Sequence, residues 1–133
     1  MKLTRASSYA LHAVTFMASQ KHDRPVASHH IAHARGIPER FLLKVLKPLV
    51  SAQVLLSIKG PNGGYRLARP ASDISMLEIL EAVDGPIRGQ APLTEEDNGA
   101  LNHKLEVICK ENADHTRKHL EKIRMSQLIG GRK

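Results

Sequence analysis

The sequence predicts a mainly α-helical fold with one small β-hairpin. Apolar residues recur at the three- and four-residue spacing of amphipathic helices through most of the 133 residues. The exception is residues 54–68, where two short segments typical of β-strands flank a Gly-Pro-Asn-Gly-Gly run. Hydrophobic residues make up 41% of the chain but aromatic residues only 3%, so the core of this fold must be aliphatic.

The composition excludes several classes of protein. No apolar run approaches the roughly 20 residues that span a bilayer, and the first residues lack the apolar segment of a secretory signal peptide. A single cysteine, Cys109, cannot build a disulfide framework within one chain. The sequence also lacks a phosphate-binding loop, a zinc-protease pair and a nucleophile elbow. We therefore expect a soluble cytoplasmic protein that is not an enzyme and has no membrane partner.

Three helices are predicted before the hairpin. The first begins at Thr4, a good N-cap residue, and runs to about Ser19. The second covers residues 28–35, with Ser28 as its cap, and Gly36 ends it because glycine accepts the left-handed backbone of a helix end. The third runs from Pro38 to about Ala52.

The third helix has two different faces. Its apolar residues share the side predicted to face the core: Phe41, Leu42, Val45, Leu46 and Leu49. Its opposite side is mostly basic: Arg40, Leu43, Lys44 and Lys47. Pro48 should kink this helix or end it early, because proline removes a hydrogen bond and clashes with the preceding turn.

The hairpin is predicted from segments 54–59 and 65–68, joined by a two-residue turn at Asn62-Gly63. Lys59 and Arg66 flank its tip. The next helix begins near Ser75, with Glu78 completing a capping box, and ends at Asp84. After a loop at 87–92, a long helix is expected from Thr94 or Asp97 to Arg124, and residues 128–133 should fray.

The long helix carries a thin apolar stripe. A stripe this narrow favours pairing with its copy in a two-fold dimer, although a surface helix lying on its own domain remains an alternative. The candidate interface residues are Leu105, Ile108, Cys109, Ala113, Thr116, Leu120 and Ile123. The predicted organisation is a DNA-binding domain at residues 1–86, followed by a loop and a dimerisation helix at 87–133.

The excess of positive charge is confined to the first half of the chain. Residues 1–70 hold eleven lysines and arginines against two acids, a net charge of +9, whereas residues 71–133 carry −2. A one-sided charge favours a polyanion partner. The order of helix, turn, basic helix and basic hairpin predicts a winged helix-turn-helix domain that binds double-stranded DNA.

Three stretches support a resemblance to a known family. Residues 1–4 with Tyr9-Ala10-Leu11 resemble the family's start, and residues 74–85 resemble its helix after the wing. Residues 59–68, Lys-Gly-Pro-Asn-Gly-Gly-Tyr-Arg-Leu-Ala, match its hallmark wing, usually Arg-Gly-Pro-Gly-Gly-Gly-Tyr. The chain resembles the Rrf family of bacterial winged-helix transcription regulators, also called BadM-like. The resemblance implies a homodimer with crossing C-terminal helices on a two-fold operator.

The candidate DNA-binding residues lie in the first helix, the helix-turn-helix and the wing. They are Thr4, Arg5, Tyr9, Ser28, Arg40, Leu43, Lys44, Lys47, Lys59, Asn62 and Arg66. At the family's base-reading position in the third helix, often acidic, this chain has Leu43, so its operator should differ from that of the family's iron–sulfur cluster regulator.

Family members that bind an iron–sulfur cluster carry three cysteines after the position of residue 85. This chain has only Cys109, which gives two thiols per dimer, so no cluster is expected. Cys109 is either a buried small hydrophobic residue or a redox switch. Histidine pairs at 29 and 33 and at 115 and 119 have helical ligand spacing, but nothing nearby completes a ligand set, and no metal site is predicted.

Two functions are compatible with these patterns. The first is a sequence-specific, homodimeric repressor that binds a two-fold operator, with no effector predicted. The alternative is a sensory or adaptor module of the same fold that docks a protein partner, with a redox switch at Cys109. The net charge of +9 in the first half favours DNA, because an adaptor has no need of it.

Overall fold

The computed structural model describes residues 1–91 and 99–129. These residues form five α-helices, a two-stranded antiparallel hairpin and two short 3₁₀ turns, which confirms the predicted fold class. In chain order the elements are α1 (Arg5–Ala18), α2 (Ser28–Arg35), α3 (Glu39–Ser51), β1 (Leu55–Ile58), β2 (Gly64–Leu67), the 3₁₀ turn Ala71–Asp73, α4 (Met76–Asp84), α5 (Ala100–Glu121) and the 3₁₀ turn Met125–Leu128. None of the helices in this part of the chain is both long and apolar enough to cross a bilayer.

The main core lies between α1, α2, α3 and α4, beneath the hairpin. Its side chains are aliphatic, as the composition predicts. Its largest fully buried members are Val14, Ile31, Leu42, Leu46, Leu49, Val54, Leu55, Ile74, Ile79 and Met125. Complete burial of one such leucine or isoleucine stabilises the fold by about 1.5–3 kcal/mol, so this cluster fixes the position of α3.

The turn between α2 and α3 follows the prediction. Gly36 has a φ of 65°, the left-handed conformation that glycine accepts without a steric penalty. The Ile37 N–H donates to the Ala32 carbonyl at 2.9 Å, and the Ile37 side chain is buried. This backbone bond is that of a Schellman cap, so the chain leaves α2 at a defined angle before α3 begins.

Ser28 does not cap α2. The N-cap position is occupied by Ala27, which makes no side-chain bond there. Ser28 is the first helical residue, and its hydroxyl donates to Glu39 Oε2 at 2.8 Å. A serine within reach of a carboxylate on the next helix thus links the beginnings of α2 and α3.

Pro48 does not end α3. The helix continues to Ser51, and the Ala52 N–H donates to the Pro48 carbonyl at 2.9 Å. Proline in the last turn removes only one backbone hydrogen bond. Leu46 and Leu49, both fully buried, hold this turn against the core.

The hairpin turn differs from the prediction. The Gly63 N–H donates to the Gly60 carbonyl at 3.0 Å, so Pro61 and Asn62 are the two central residues. Asn62 does not have the positive φ that an Asn-Gly turn requires. Pro61 explains the difference, because its ring fixes φ near the value required at the first central position of a type I or II turn.

Val26 joins the hairpin to the rest of the domain. Its N–H and carbonyl exchange hydrogen bonds with the Tyr65 carbonyl and N–H, each 2.8 Å long. Gly64, next to this bridge, has a φ of +150°, and a Cβ atom there would lie 2.4 Å from the Val26 carbonyl oxygen. Only glycine permits so close an approach of the two backbones.

The capping box of α4 is present as predicted. Ser75 Oγ accepts from the Glu78 N–H at 3.1 Å, and Glu78 Oε2 accepts from the Ser75 N–H at 3.0 Å. Glu78 also accepts from Arg69 at 2.5 Å. Burial alone would raise the pKa of Glu78, but the hydrogen bonds from Arg69 and Ser75 outweigh burial and lower that pKa below its ordinary value of 4.5.

A second apolar cluster joins α4 to α5. It contains Leu77, Leu80 and Leu120, all buried. Beside it, Glu81 pairs with Arg117 and accepts the Ile87 N–H at 2.8 Å. Through these contacts the second half of α5 packs against α4.

The chain returns to the main core after α5. The helix ends at Glu121, three residues before the predicted end, because the following segment pairs with residues 74–76. Met76 N–H donates to the Ile123 carbonyl, and Met125 N–H donates to the Ile74 carbonyl, both at 2.8 Å. Met125 is fully buried in the main core, so packing crosses the predicted division at residue 86.

The two predicted ends of the last segment lie partly outside the described residues. The expected start of the long helix at Thr94 or Asp97 falls there, and the described helix begins at Ala100. Of the tail expected to fray, Leu128 belongs to the last 3₁₀ turn, and residues 130–133 lie outside the described part.

Candidate nucleic-acid interface

One face of α3 is open to solvent. Arg40, Lys44 and Lys47 are exposed on it, and so is Leu43 at 43%. The opposite face carries the buried residues Leu42, Val45, Leu46 and Leu49. The helix therefore presents one side to the core and one basic side outward, as its sequence periodicity predicts.

Phe41 belongs to the outward side, and its predicted place in the core was wrong. Its side chain is 38% exposed and is not one of the buried residues of the main core. Arg40 Cζ lies 4.8 Å from the ring centroid, and Lys44 Nζ lies 5.7 Å from it. At 100° per residue Phe41 stands only about 60° from Lys44 around the helix, so it borders the basic face. An aromatic residue between two cations is the sequence signal that could have identified this arrangement.

The hairpin forms the second part of the surface. Lys59, Asn62 and Arg66 are all exposed. Arg66 lies directly opposite Leu56 in the strand register, on the face that also carries Ile58. Leu56 and Ile58 are 39% and 37% exposed, so this face combines apolar side chains with the guanidinium of Arg66.

At the first helix, Thr4 and Tyr9 make contacts within the chain, although both are predicted to bind DNA. Thr4 caps α1 by accepting the Ser7 N–H at 3.0 Å, and its hydroxyl donates to the Asp84 carboxylate at 2.9 Å. Tyr9 is half-buried and packs against the main core. Arg5 is exposed at the start of α1. The hydroxyls of Thr4 and Ser28, predicted to bind DNA, therefore donate to carboxylates of the same chain, Asp84 and Glu39 respectively.

The cations of α3 and the hairpin have no carboxylate partner among the described residues. The two ion pairs there are Arg69–Glu78 and Arg117–Glu81. Neither includes the five outward cations, Arg40, Lys44, Lys47, Lys59 and Arg66. Their charge is therefore available to a polyanion.

The predicted stripe on α5 divides into two parts. Leu105 and Ile108 are exposed at 39% and 59%, whereas Leu120 is 3% exposed. The prediction that Leu120 faces a partner chain therefore needs correction, because this side chain packs on α4 of its own chain. Ile123 packs beside it, Ala113 is also buried, and Thr116 and Cys109 are partly exposed. Leu101, 56% exposed, extends the open part of the stripe and was missed.

Comparison with known proteins identifies the family. The profile of the Rrf2 family, described as iron-dependent transcriptional regulators, matches residues 3–131. The chain belongs to the Rrf2 family. The resemblance noted from the wing residues is thereby confirmed.

Individual proteins with similar sequences support the assignment of this chain to the Rrf2 family. It is 37% identical over 84 residues to the HTH-type transcriptional regulator IscR of Vibrio atlanticus, covering 63% of this chain and 49% of IscR. It is 34% identical over 84 residues to the protein aau3 of Rhizobium meliloti, covering 63% and 54%. The chain spans about half the length of the curated relatives it matches.

The fold matches a solved structure along nearly its whole length. The structure of CymR, the global cysteine regulator of B. subtilis, superimposes with a TM-score of 0.74 over 96% of this chain and 95% of CymR, at 23% sequence identity. At that identity the likeness establishes the fold alone, and it confirms the winged-helix architecture.

The residues of this Rrf2-family chain do not fit an iron–sulfur cluster. Such clusters are held mainly by cysteine thiolates, usually four. The sequence has one cysteine, and it lies part-way along α5. Among the described residues, no three His, Cys, Asp or Glu side chains come together as a metal site.

Proposed function

We propose that this Rrf2-family chain is a sequence-specific regulator of transcription that binds double-stranded DNA as a homodimer and represses at a two-fold operator. The observation that carries the proposal is the outward face of α3, where Arg40, Lys44 and Lys47 are exposed without carboxylate partners among the described residues. Such a face has the shape and charge that a major groove accepts.

The chemistry of this face suits the reading of base edges. Arginine and lysine donate to guanine O6 and N7, the commonest specific contact in the major groove. Leu43, exposed between the cations, suits the methyl group of thymine. We assign Arg40 and Lys44 to guanine contacts and Lys47, nearer the end of α3, to a phosphate.

The wing supplies a second contact beside the groove. Lys59 places one positive charge beside the turn, and Arg66 places another on the side of the hairpin. A hairpin of this kind reaches phosphates or the neighbouring minor groove. Asn62, exposed in the turn, adds a neutral donor to the same tip.

The first half of α5 supports the homodimer. Leu101, Leu105 and Ile108 follow one another at intervals of four and three residues, so they share one exposed face of the helix. An exposed stripe of three large apolar side chains is typical of an interaction surface, and we assign it to the contact with the same helix of a second copy of the chain. A two-fold dimer then presents two α3 helices to half-sites one or more DNA turns apart.

The test of DNA binding is selection from a random duplex library. The wild-type protein should enrich one sequence with two-fold symmetry, and fluorescence anisotropy should measure its affinity. Arg40→Ala and Lys44→Ala should each weaken binding to that duplex by about 1–3 kcal/mol and relax preference at one position. Lys122→Ala, which removes an exposed charge beyond α5, is the matched control and should change little.

Failure of the wild type to enrich any sequence would contradict the proposal and favour the protein-docking adaptor. Repression is tested separately with a promoter that contains the selected site. Transcription from it should rise when the chain is absent. A fall in transcription would make the chain an activator instead.

Dimerisation is tested by sedimentation of Ile108→Asp. The substitution places a charge on the apolar stripe, and burying an unpaired charge in an interface is strongly unfavourable. The variant should sediment as a folded monomer and bind the selected duplex weakly, while the wild type sediments as a dimer. Glu111→Asp, on the same helix, is the control. A wild-type monomer at micromolar concentration with the duplex present would overturn the dimer.

A further inference from the structure

Phe41 is the one large aromatic side chain on the outward side of α3. The residue is 38% exposed and is not among the buried residues of the main core. Two cations face the ring, Arg40 at 4.8 Å and Lys44 at 5.7 Å from its centroid. Both distances are within the roughly 6 Å over which an aromatic face attracts a cation.

This arrangement offsets an electrostatic problem. Arg40 and Lys44 are four residues apart on one helix, so their like charges are neighbours and repel each other. Without a restraint, each long side chain would also sample many rotamers. The negative face of the Phe41 ring attracts both cations, and it therefore holds them together in a restricted set of positions before any DNA arrives.

We propose that Phe41 is a positioning residue for base recognition. Its ring holds the side chains of Arg40 and Lys44 together on the outward face of α3, in position to contact bases. The proposal rests on the proposed function and adds a specificity-determining residue to it. Preorganised side chains lose less conformational entropy on binding, so the ring sharpens discrimination between bases without contacting one itself.

The other phenylalanine provides a natural control. Phe16 also faces a cation, because Arg35 Cζ lies 5.5 Å from its ring centroid. The His30 ring lies 5.7 Å away and is tilted by 35°. Phe16, however, lies on α1 and packs against the main core. Phe16→Leu removes an equivalent ring–cation contact, so its effect should be confined to stability.

The experiment uses the duplex selected by the wild-type protein and a duplex with one guanine of each half-site replaced. The ratio of the two affinities measures base discrimination. Phe41→Leu should lower this ratio about two- to tenfold, the size expected for one or two exposed cation–π contacts. Phe41→Tyr keeps the ring and should retain the wild-type ratio. Phe41→Met is made alongside, so that a folding defect in one variant leaves ring removal testable.

The salt dependence separates positioning from loss of charge. The slope of log affinity against log salt reports phosphate contacts, and no cation is removed in Phe41→Leu. The slope should therefore stay at the wild-type value while discrimination falls. Phe16→Leu should change the melting temperature and leave discrimination unchanged.

A double-mutant cycle decides how Phe41 acts. In the Arg40→Ala, Lys44→Ala background the ring has no cation left to hold, so Phe41→Leu should cause no further loss. An equal loss in both backgrounds would mean that the ring contacts DNA directly and would overturn the positioning role. Unchanged discrimination in folded Phe41→Leu and Phe41→Met would also overturn it, yet would leave the proposed function standing, because the wild type would still select its duplex.

Discussion

A single carboxylate, Glu78, links three parts of the chain. It closes the capping box of α4 with Ser75 and accepts from Arg69 at 2.5 Å. The same guanidinium donates to the carbonyls of Asp73 at 2.8 Å and Gln53 at 3.4 Å. The segments that follow α3 and β2 are therefore fastened to the beginning of α4 through one ionised side chain.

Replacing Glu78 should change the pH dependence of stability. The folded-state pKa of Glu78 lies below its ordinary value of 4.5, so the unfolded chain takes up a proton first as the pH falls. The carboxylate therefore stabilises the fold above about pH 4.5, and this contribution is lost as the pH falls through the lowered value. In chemical denaturation, wild type should exceed Glu78→Gln in stability at pH 7, and the two curves should converge towards pH 3.

The exposed Glu121→Gln variant is the control for that comparison, because Glu121 lies at the end of α5 without an ion pair among the described residues. A gap between wild type and Glu78→Gln that stays constant from pH 7 to pH 3 would show that the carboxylate does not stabilise the fold by its charge.

The sequence predicts single residues well where their partners are close along the chain. Ser75 and Glu78 are three residues apart, and their capping box needs nothing else. Phe41 was misplaced because helical periodicity leaves a residue at the border of two faces undecided, and only the packing of α3 settles it. Leu120 was assigned to a partner chain because the pattern of α5 does not reveal that α4 covers it.

At the scale of elements, the hairpin depends on contacts at both of its ends. Pro61 and Asn62 make its turn, and Val26 joins β2 through two hydrogen bonds. The Val26 contact spans 39 residues of sequence. A search for strands in the sequence does not detect a single bridging residue of this kind, although Gly64 beside it carries the signal of a close backbone approach.

Removing the two wing cations should reduce the salt dependence of DNA binding. Log affinity falls linearly with log salt, with a slope of about −0.9 for each phosphate contact. Lys59→Ala combined with Arg66→Ala should therefore make the slope shallower by about one to two units. The measurement is anisotropy on the selected duplex from 50 to 200 mM salt, a range over which the Debye length falls by about half.

Lys118→Ala combined with Lys122→Ala removes the same charge from α5 and its end, and should leave the slope close to that of the wild type. If the wing variant and this control gave the same slope, the hairpin would not contact the DNA backbone.

The helices were predicted more closely than the connections between them. α1, α2 and α3 fall within one or two residues of their predicted bounds, because caps, glycine and apolar spacing are local signals. The end of α5 was placed three residues late, since Ile123 and Met125 leave the helix to pair with residues 74–76. That pairing joins segments almost fifty residues apart and is not readable from helical periodicity.

For the whole molecule, the segment after α5 is part of the packing of the predicted DNA-binding domain. Met125 is fully buried in the main core, and its backbone pairs with Ile74. The last 3₁₀ turn also contacts α1. The long helix is thus held at its far end by the core, instead of projecting from the domain as a separate appendage.

Truncation of Met125 should destabilise the whole domain. Met125→Ala leaves a cavity in the main core and should lower the free energy of unfolding by about 2–5 kcal/mol. Leu128→Ala, three residues on and 44% exposed, should change it by about 0.5 kcal/mol or less. The comparison is made by urea denaturation followed by circular dichroism. A Met125→Ala loss as small as that of Leu128→Ala would show that the core does not depend on this segment.

The two hydrogen bonds between Val26 and Tyr65 have a consequence for the proposed DNA site. They join β2 to the segment that precedes α2. The wing is therefore held at a fixed distance from the helix-turn-helix, and so from α3. One base pair inserted between the DNA positions contacted by α3 and by the wing would rotate those positions relative to each other by roughly 35° about the duplex axis. For the proposed function, this fixed geometry predicts that the spacing within a selected duplex matters as well as its base sequence.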